Sequence, residues 1–418
     1  MFKFFIHKNS SFQKGYQELL RNMNEEEYRF PEGISKNKEI KIDIPVVDNT
    51  ESRARLISRI ETVTSTIIQQ ICSGQLPKIS YSEPQNFARM DTQTSSQNES
   101  SNAELRSSSE EQSDEETEPT EKKVVTNFAA SRSKEKFALM MTVMATAHRL
   151  LITKTTATRR SLYYDLKTEK TSSLSLGQGH VDRAVNHVAN LLNCAPWELN
   201  ILPTSKGLAA GELTLTLIDN RSIDCSVPGG ALIPQIVSNV TSVRTTAKMV
   251  LVVEKDAVFQ KLLEDDCTGS LNCILLTGKG YPDVATRMLV KLLAEKLGLP
   301  VYVVVDADPF GVDIMCVYRF GSATLSKENE SLVCSSVRWL GILPSELHCL
   351  GVNTLPLTEF DRSKLAAIET RPYMTDSFLK ELEIMRKGKA EIESVSSFSR
   401  KFLTSTYLPC KIKGHDYI

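Results

Sequence analysis

The sequence predicts a chain of class α/β with α+β, in which a winged helix-turn-helix domain is followed by a doubly wound α/β domain and a disordered acidic linker lies near the N-terminus. Three observations carry this. A tract of Ser, Glu, Gln and Asn over 82–123 has almost no large apolar residue and interrupts the chain. Amphipathic helical stripes and then an alternating hairpin pattern fill 124–245. From about Met249, continuous Val, Ile and Leu runs alternate with helices, the pattern of parallel strands buried on both faces.

The 418 residues leave room for two or three domains, each with its own core. A hydrophobic fraction of 41% and a charged fraction of 24% are ordinary for a globular protein. The net charge of -1 gives no sign of a nucleic-acid binder, because the acidic tract near residue 110 offsets basic character elsewhere. Nine cysteines contain no C-x-x-C pair, and Cys194, Cys225, Cys267, Cys273 and Cys316 sit in or beside apolar runs. They read as free thiols of a reducing compartment. In "MFKFFIHKNSS", Lys3, His7 and Lys8 interrupt the apolar run too early for a signal peptide, and no run approaches the roughly 20 residues that cross a bilayer. A soluble intracellular protein, with no membrane partner, is expected.

The elements follow in order. Within 1–81 one amphipathic helix begins at Thr50, with Leu56, Ile60, Val63, Ile67, Ile68 and Ile71 at helical spacing and Gly74 and Pro77 as its stop. Its stripe must be buried on its own core or on a partner. After the linker, Phe137, Leu139, Met140, Val143, Met144, His148 and Leu151 form a second stripe. A short helix carries "ATRRSLYYDL", and a further amphipathic helix runs from near His180 to before Pro196. Leu213, Leu215 and Leu217 alternate towards an Asp219-Asn220 turn and a return strand through Ile223 and Cys225. Helices followed by such a hairpin suit a winged helix-turn-helix, which sets the domain at 124–245. The remainder, 246–418, holds the strands "MVLVVE", "NCILLTGKG" and "PVYVVVDADPFG".

In open parallel sheets, ligands bind at the carboxyl ends of the strands. Those ends carry Glu254, Gly278-Lys279-Gly280, Asp306 and Asp308. With no lysine beside the Asp pair, the three carboxylates are expected to converge and repel unless a cation joins them, and oxygen-only ligands select Mg²⁺ or Mn²⁺. A lone Glu254 would read as a helix cap. "TGKG" lacks the Gly and Ser/Thr of a phosphate-binding loop, and "PTSKGLAAG" fails the same test, so no ATPase is recognisable. Lys206 and Lys279 are either DNA-backbone contacts or solvated turn lysines. His148, His180 and His187 lack zinc-type partners and read as packing or surface residues. Arg159 and Arg160 precede Tyr163 and Tyr164. Guanidinium groups cannot act as bases, but they can hold a phosphate and favour a phenolate.

The stretches "ATRRSLYYDL", "LPTSKGLAAGEL", "LVVEKDAVFQKL", "LLTGKGYPDVATRMLVKLL" and "VVDADPFGVDIMCVYRFGS" resemble a known family. It is the meiotic double-strand-break transesterases of the Spo-eleven type, related to the A subunit of topoisomerase VI. "WLGILPSEL", "PLTEFDRSKL" and "ELEIMRKGKAEIES" extend the likeness, which covers about Lys134 to Ile418. The resemblance implies a CAP-like winged helix followed by a Toprim domain. It implies Tyr164 as nucleophile, Arg160 as its phosphate-binding aid, and Glu254, Asp306 and Asp308 as ligands of Mg²⁺, with Mn²⁺ as a substitute. Arg159, Lys206, Lys279 and Tyr281 would touch DNA. The implied enzyme is a type IIB topoisomerase-like isomerase of the nucleus, on meiotic chromosomes. It would cut double-stranded DNA as a homodimer, with Tyr164 of one copy meeting the carboxylates of the other. Its partners would be other break-forming proteins and a topoisomerase VI B-like subunit. Ser161, Ala307 and Phe310 depart from the family pattern, in which Asp, Gly and a smaller or polar side chain are usual. The alternative reading is a weak or inactive DNA-binding scaffold of the same fold. An acid-nucleophile phosphatase built on Asp306 is disfavoured by Phe310 and by the winged-helix half.

Overall fold

A computed structural model of the chain describes residues 39–45, 49–83, 122–128, 131–167, 177–322, 329–396, 399 and 401–418. The N-terminal "MFKFFIHKNSS" and most of the predicted linker lie outside the described residues. Two compact units emerge, Asp48–Thr204 with Ser322–Glu330, and Met1–Val47 with Ser205–Gly321 and Ser331–Ile418.

The first unit is mainly helical. Helices Thr50–Cys72, Ser131–Thr153, Arg159–Asp165 and Gln178–Leu192 share one core with an antiparallel ribbon of Lys78–Glu83 and Lys122–Asn127. The Thr50 helix resolves the choice left by its sequence. Leu56, Ile60 and Ile67 are buried in the core of its own unit, whereas Ile68 and Ile71 stay more than half exposed. Ribbon pairing extends from Lys78↔Asn127 to Glu83↔Lys122, so ordered strand enters both ends of the predicted linker. His187 packs its ring 5.5 Å from Tyr81, and His148 lies 3.3 Å from Glu61, so both act in packing and surface pairing.

The second unit is built on a six-stranded sheet. Its order is Val337–Gly341, Val301–Val304, Met249–Val253, Cys273–Thr277, Leu208–Ala210, Ala231–Leu232. The first four strands are parallel; Leu208–Ala210 runs antiparallel to Cys273–Thr277, and Ala231–Leu232 antiparallel to Leu208–Ala210. Side chains alternate across it as the pleat requires. Val250, Val252, Ile274, Leu276, Val301 and Val303 enter one core, and Leu251, Val253, Leu275, Tyr302 and Val304 the other. Helices cover both faces, Val284–Leu297 and Pro309–Arg319 on the first and Asp256–Glu264 on the second. All nine cysteines are free. Among the described residues no helix is long and apolar enough to cross a membrane.

The hairpin differs from its expected place. Leu213–Leu217 and Ser222–Asp224 do form antiparallel strands, in a four-stranded sheet with Val240–Thr245 and Ile40–Asp43. That sheet belongs to the second unit, where Leu213, Leu215 and Leu217 share a core with Val250 and Leu289. Alternation reports that one strand face is buried, not what it is buried against. The two-stranded ribbon beside the helices is Lys78–Glu83 with Lys122–Asn127, and the change of unit falls at Thr204 rather than at 245.

Candidate active site

The Arg159–Asp165 helix has only seven residues, too few to persist without anchors. Thr158 accepts a hydrogen bond from the Ser161 amide at 2.9 Å, and Ser161 Oγ accepts one from the Thr158 amide at 3.0 Å. This reciprocal cap uses the hydroxyl that stands where the family pattern has Asp. Leu162 is buried in the helical core and fixes the rotation of the helix. Tyr164 is thereby turned outward, 56% exposed, while Tyr163 packs against the core. The two rings lie 5.5 Å apart. Arg160 Nη2 donates to Tyr164 Oη at 3.4 Å, and Lys167 Nζ lies 4.7 Å over the Tyr163 ring.

Arg159 points elsewhere. It donates to Asn186 Oδ1 at 2.9 Å and lies 3.8 Å from Asp182, both on the Gln178–Leu192 helix. The result is an open cleft lined by Arg159, Arg160, both tyrosines, Gln178, Asp182, Pro203 and Thr204. Sequence reasoning missed Asp182 and Asn186, because nothing in the spacing reveals that this second helix packs beside the first.

In the second unit, Glu254 follows the Met249–Val253 strand, and Asp306 and Asp308 follow Val301–Val304. Each carboxylate accepts a hydrogen bond from a backbone N–H. Glu254 Oε2 accepts from the Asp306 amide at 3.0 Å, Asp306 Oδ1 from Ile392 at 2.9 Å, and Asp308 Oδ1 from Gly311 at 2.7 Å as a helix N-cap. Burial, reinforced by Asp306 and Asp308, pushes the Glu254 carboxyl up to about 7. Burial also raises Asp306 and Asp308. Ala307 is accommodated without disturbance, its amide donating to Ala390 at 2.9 Å. Phe310 lies 38% exposed, with Lys364 Nζ 5.8 Å from its ring centroid.

Two expectations are corrected here. A lysine does stand beside the Asp pair: Lys255 Nζ lies 2.9 Å from Asp306 Oδ2. It follows Glu254 directly, far along the chain from the Asp pair it meets in space. Nor are the carboxylates drawn into a cage, since among the described residues no group of three His, Cys, Asp or Glu could hold a metal ion as it stands. The donor chemistry nonetheless fits a hard divalent ion: three crowded, buried carboxyls at the ends of neighbouring strands. Lys255 supplies the positive charge that such a cluster needs.

The remaining predicted contacts gather in the same unit. Lys206 Nζ donates to the Lys279 carbonyl at 3.0 Å, and Asp283 Oδ2 accepts from the Lys206 amide at 2.7 Å. Burial lowers the Lys206 ammonium. Lys279 adopts a left-handed backbone, φ 52, with its own Nζ 3.3 Å from Asp256. Tyr281 donates its phenol to Asp313 at 2.5 Å. Burial works to raise Asp313, but Arg371 at 2.6 Å and Lys364 at 2.8 Å outweigh it and hold the carboxyl below its usual range. Sequence reasoning also missed Asp283, which caps the Val284–Leu297 helix and whose place just before "VATRM" was the signal that could have found it, and Asp313, which had none.

A helical unit with an arginine-flanked exposed tyrosine, and an α/β unit with a buried acidic triad, define a class of protein. Residues 249–412 match the Toprim domain of the family that joins Spo11 with the A subunit of topoisomerase 6, and residues 135–201 match "Type IIB DNA topoisomerase". The chain belongs to this family of Spo11 and topoisomerase VI A proteins. It is 40% identical to the human meiotic recombination protein SPO11 over 296 residues, 69% of this chain and 74% of that one. Identity to meiotic recombination protein SPO11-1 of Arabidopsis thaliana is 33% over 368 residues, 86% of this chain and 95% of that one. The A subunit of DNA topoisomerase 6 from the same plant is 34% identical over 309 residues, 71% of this chain and 70% of its own.

Proposed function

We propose that this chain is a topoisomerase-like DNA transesterase that makes meiotic DNA double-strand breaks and so initiates homologous recombination. The observation that carries the reading is Tyr164, outward on a capped helix with Arg160 within 3.4 Å of its phenol. An ordinary phenol is a weak nucleophile at neutral pH and needs a nearby cation. Arg160 serves as that cation and as the clamp for the scissile phosphate. Tyr164 Oη attacks phosphorus, the bond to the 3′ oxygen breaks, and the 5′ phosphate is left joined to tyrosine. The phenol proton passes to solvent and the departing 3′ oxygen takes one up, so no net oxidation or hydrolysis occurs. Tyr163, packed on the core, orients its neighbour.

Glu254, Asp306 and Asp308 would hold Mg²⁺, or Mn²⁺ in its place, which when bound supplies charge neutralisation at the phosphate. The helical unit acts as a CAP-like winged helix with the Lys78–Asn127 ribbon in the wing's role. Arg159 shapes the cleft through Asn186, and Lys206, Lys279 and Tyr281 bear on the DNA. The active form is a homodimer on double-stranded DNA, in the nucleus on meiotic chromosomes. It has no ATPase of its own and works with other break-forming proteins and a topoisomerase VI B-like subunit.

The test compares Tyr164→Phe with Tyr163→Phe in meiotic cells, scoring breaks and covalent protein-DNA adducts. Tyr164→Phe is expected to abolish both, and Tyr163→Phe to retain at least part of each. Adducts that survive Tyr164→Phe and vanish in Tyr163→Phe would reverse the assignment.

A further inference from the structure

Asp306 has its two carboxylate oxygens in different surroundings. Its Oδ1 accepts from the Ile392 amide, and the side chain is 6% exposed, so Oδ2 is the oxygen left to meet a cation. Lys255 Nζ stands 2.9 Å from that same Oδ2. An ammonium and a divalent ion on one carboxylate oxygen repel strongly, so one must yield.

Lys255 has somewhere to go. Its Nζ is also 3.3 Å from Glu391 and 3.2 Å from Glu393, the residues that flank Ile392. Those glutamates are 61% and 42% exposed, so they can follow the lysine without leaving a buried charge alone.

Resting on the divalent-ion reading above, we propose that Lys255 is a positioning residue, an internal counter-ion that holds Asp306 before the ion binds and is handed to Glu391 and Glu393 when it does. Lys255 therefore stabilises the ion-free acidic cluster and competes with the ion. Glu391 and Glu393 lower the cost of that exchange. An ordinary structural salt bridge predicts that every substitution here weakens the site. The exchange predicts opposite signs on the two sides of the lysine.

The experiment measures Mn²⁺ binding to the full chain by calorimetry and by the manganese spin signal, with thermal melts of the metal-free protein alongside. Lys255→Met is expected to tighten Mn²⁺ about ten-fold or more, from the loss of one close positive charge, while lowering the metal-free melting temperature. A double change, Glu391→Gln with Glu393→Gln, is expected to weaken Mn²⁺ several-fold. Lys255→Arg keeps the charge and should stay near wild type. Unchanged or weaker Mn²⁺ binding in a folded Lys255→Met protein overturns the counter-ion role alone. If Lys255→Met does not fold, the glutamate pair decides: unaltered or tighter Mn²⁺ overturns the proposal. A wild-type chain that binds no Mn²⁺ overturns the divalent-ion reading itself.

Discussion

At Gly311 an added Cβ would collide with the Asp306 carbonyl oxygen and lie 3.1 Å from Glu254 Oε2. The obstacle is backbone, which cannot swing aside as a long side chain can. Gly311→Ala should therefore cost about 1–3 kcal/mol and, by pushing Asp306 away from Glu254, weaken Mn²⁺ binding. Denaturant melts and calorimetry of the purified variant check both. Next to it, Asp313 shows what a buried ion cluster demands. Asp313→Asn leaves Arg371 and Lys364 without their shared carboxylate and should destabilise by roughly 3 kcal/mol, read from chemical denaturation. The tyrosine pair, the arginines and the three carboxylates were legible because each is a reactive type at a motif-bound position. Asp182, Asn186, Asp313 and the pairing of Lys255 with Asp306 were not. Their roles arise from helices and strands brought together in space, which spacing along the chain does not encode.

The Tyr164 helix has seven residues and hangs on three supports: the Thr158–Ser161 cap, buried Leu162, and Arg159 tied to Asn186. Thr158→Ala removes one cap and should lower stability by about 1 kcal/mol. DNA cleavage should fall by more than that loss implies, since fraying moves Arg160 and Tyr164 together. Thr158→Ser restores the acceptor and should recover both, measured by cleavage rate against thermal midpoint. At this scale the sequence was a good guide to strands and helices. The parallel strands announced themselves as unbroken Val/Ile/Leu runs, and both faces are indeed buried. The Leu213–Asp224 hairpin was correctly read as a hairpin, yet its neighbours were not, because a two-period pattern is silent about the partner surface.

Taken whole, the chain carries two acid-base sensitivities of opposite sign, one in each unit. Burial first, and then Lys136 and Arg183, depress His187 from 6.5 to about 4. Unfolded histidine takes a proton that the folded one refuses, so the helical unit should lose stability as pH falls from 6.5 towards 4. His187→Phe should blunt that loss in melts between pH 7 and 4.5. Glu254 behaves in reverse, raised from 4.5 to about 7 by burial and by Asp306 and Asp308. Without a divalent ion, the sheet unit should lose stability as pH rises from 4.5 through 7. Glu254→Gln should flatten that dependence, by on the order of 1–2 kcal/mol at pH 8. Because two units are present, calorimetry should resolve these as separate transitions rather than one.

The Lys78–Asn127 ribbon also bears on how this chain tolerates change. Its pairing closes at Glu83↔Lys122, so one cross-strand pair holds together the two chain positions that flank 84–121. Closure entropy grows only logarithmically with the length spanned. Register upstream and downstream is set by the strand pairing, not by what joins it. The joint is therefore a natural port for rewriting: the acidic stretch can be cut to a tight turn, exchanged, or lengthened with cargo, while the tyrosine cleft keeps its geometry.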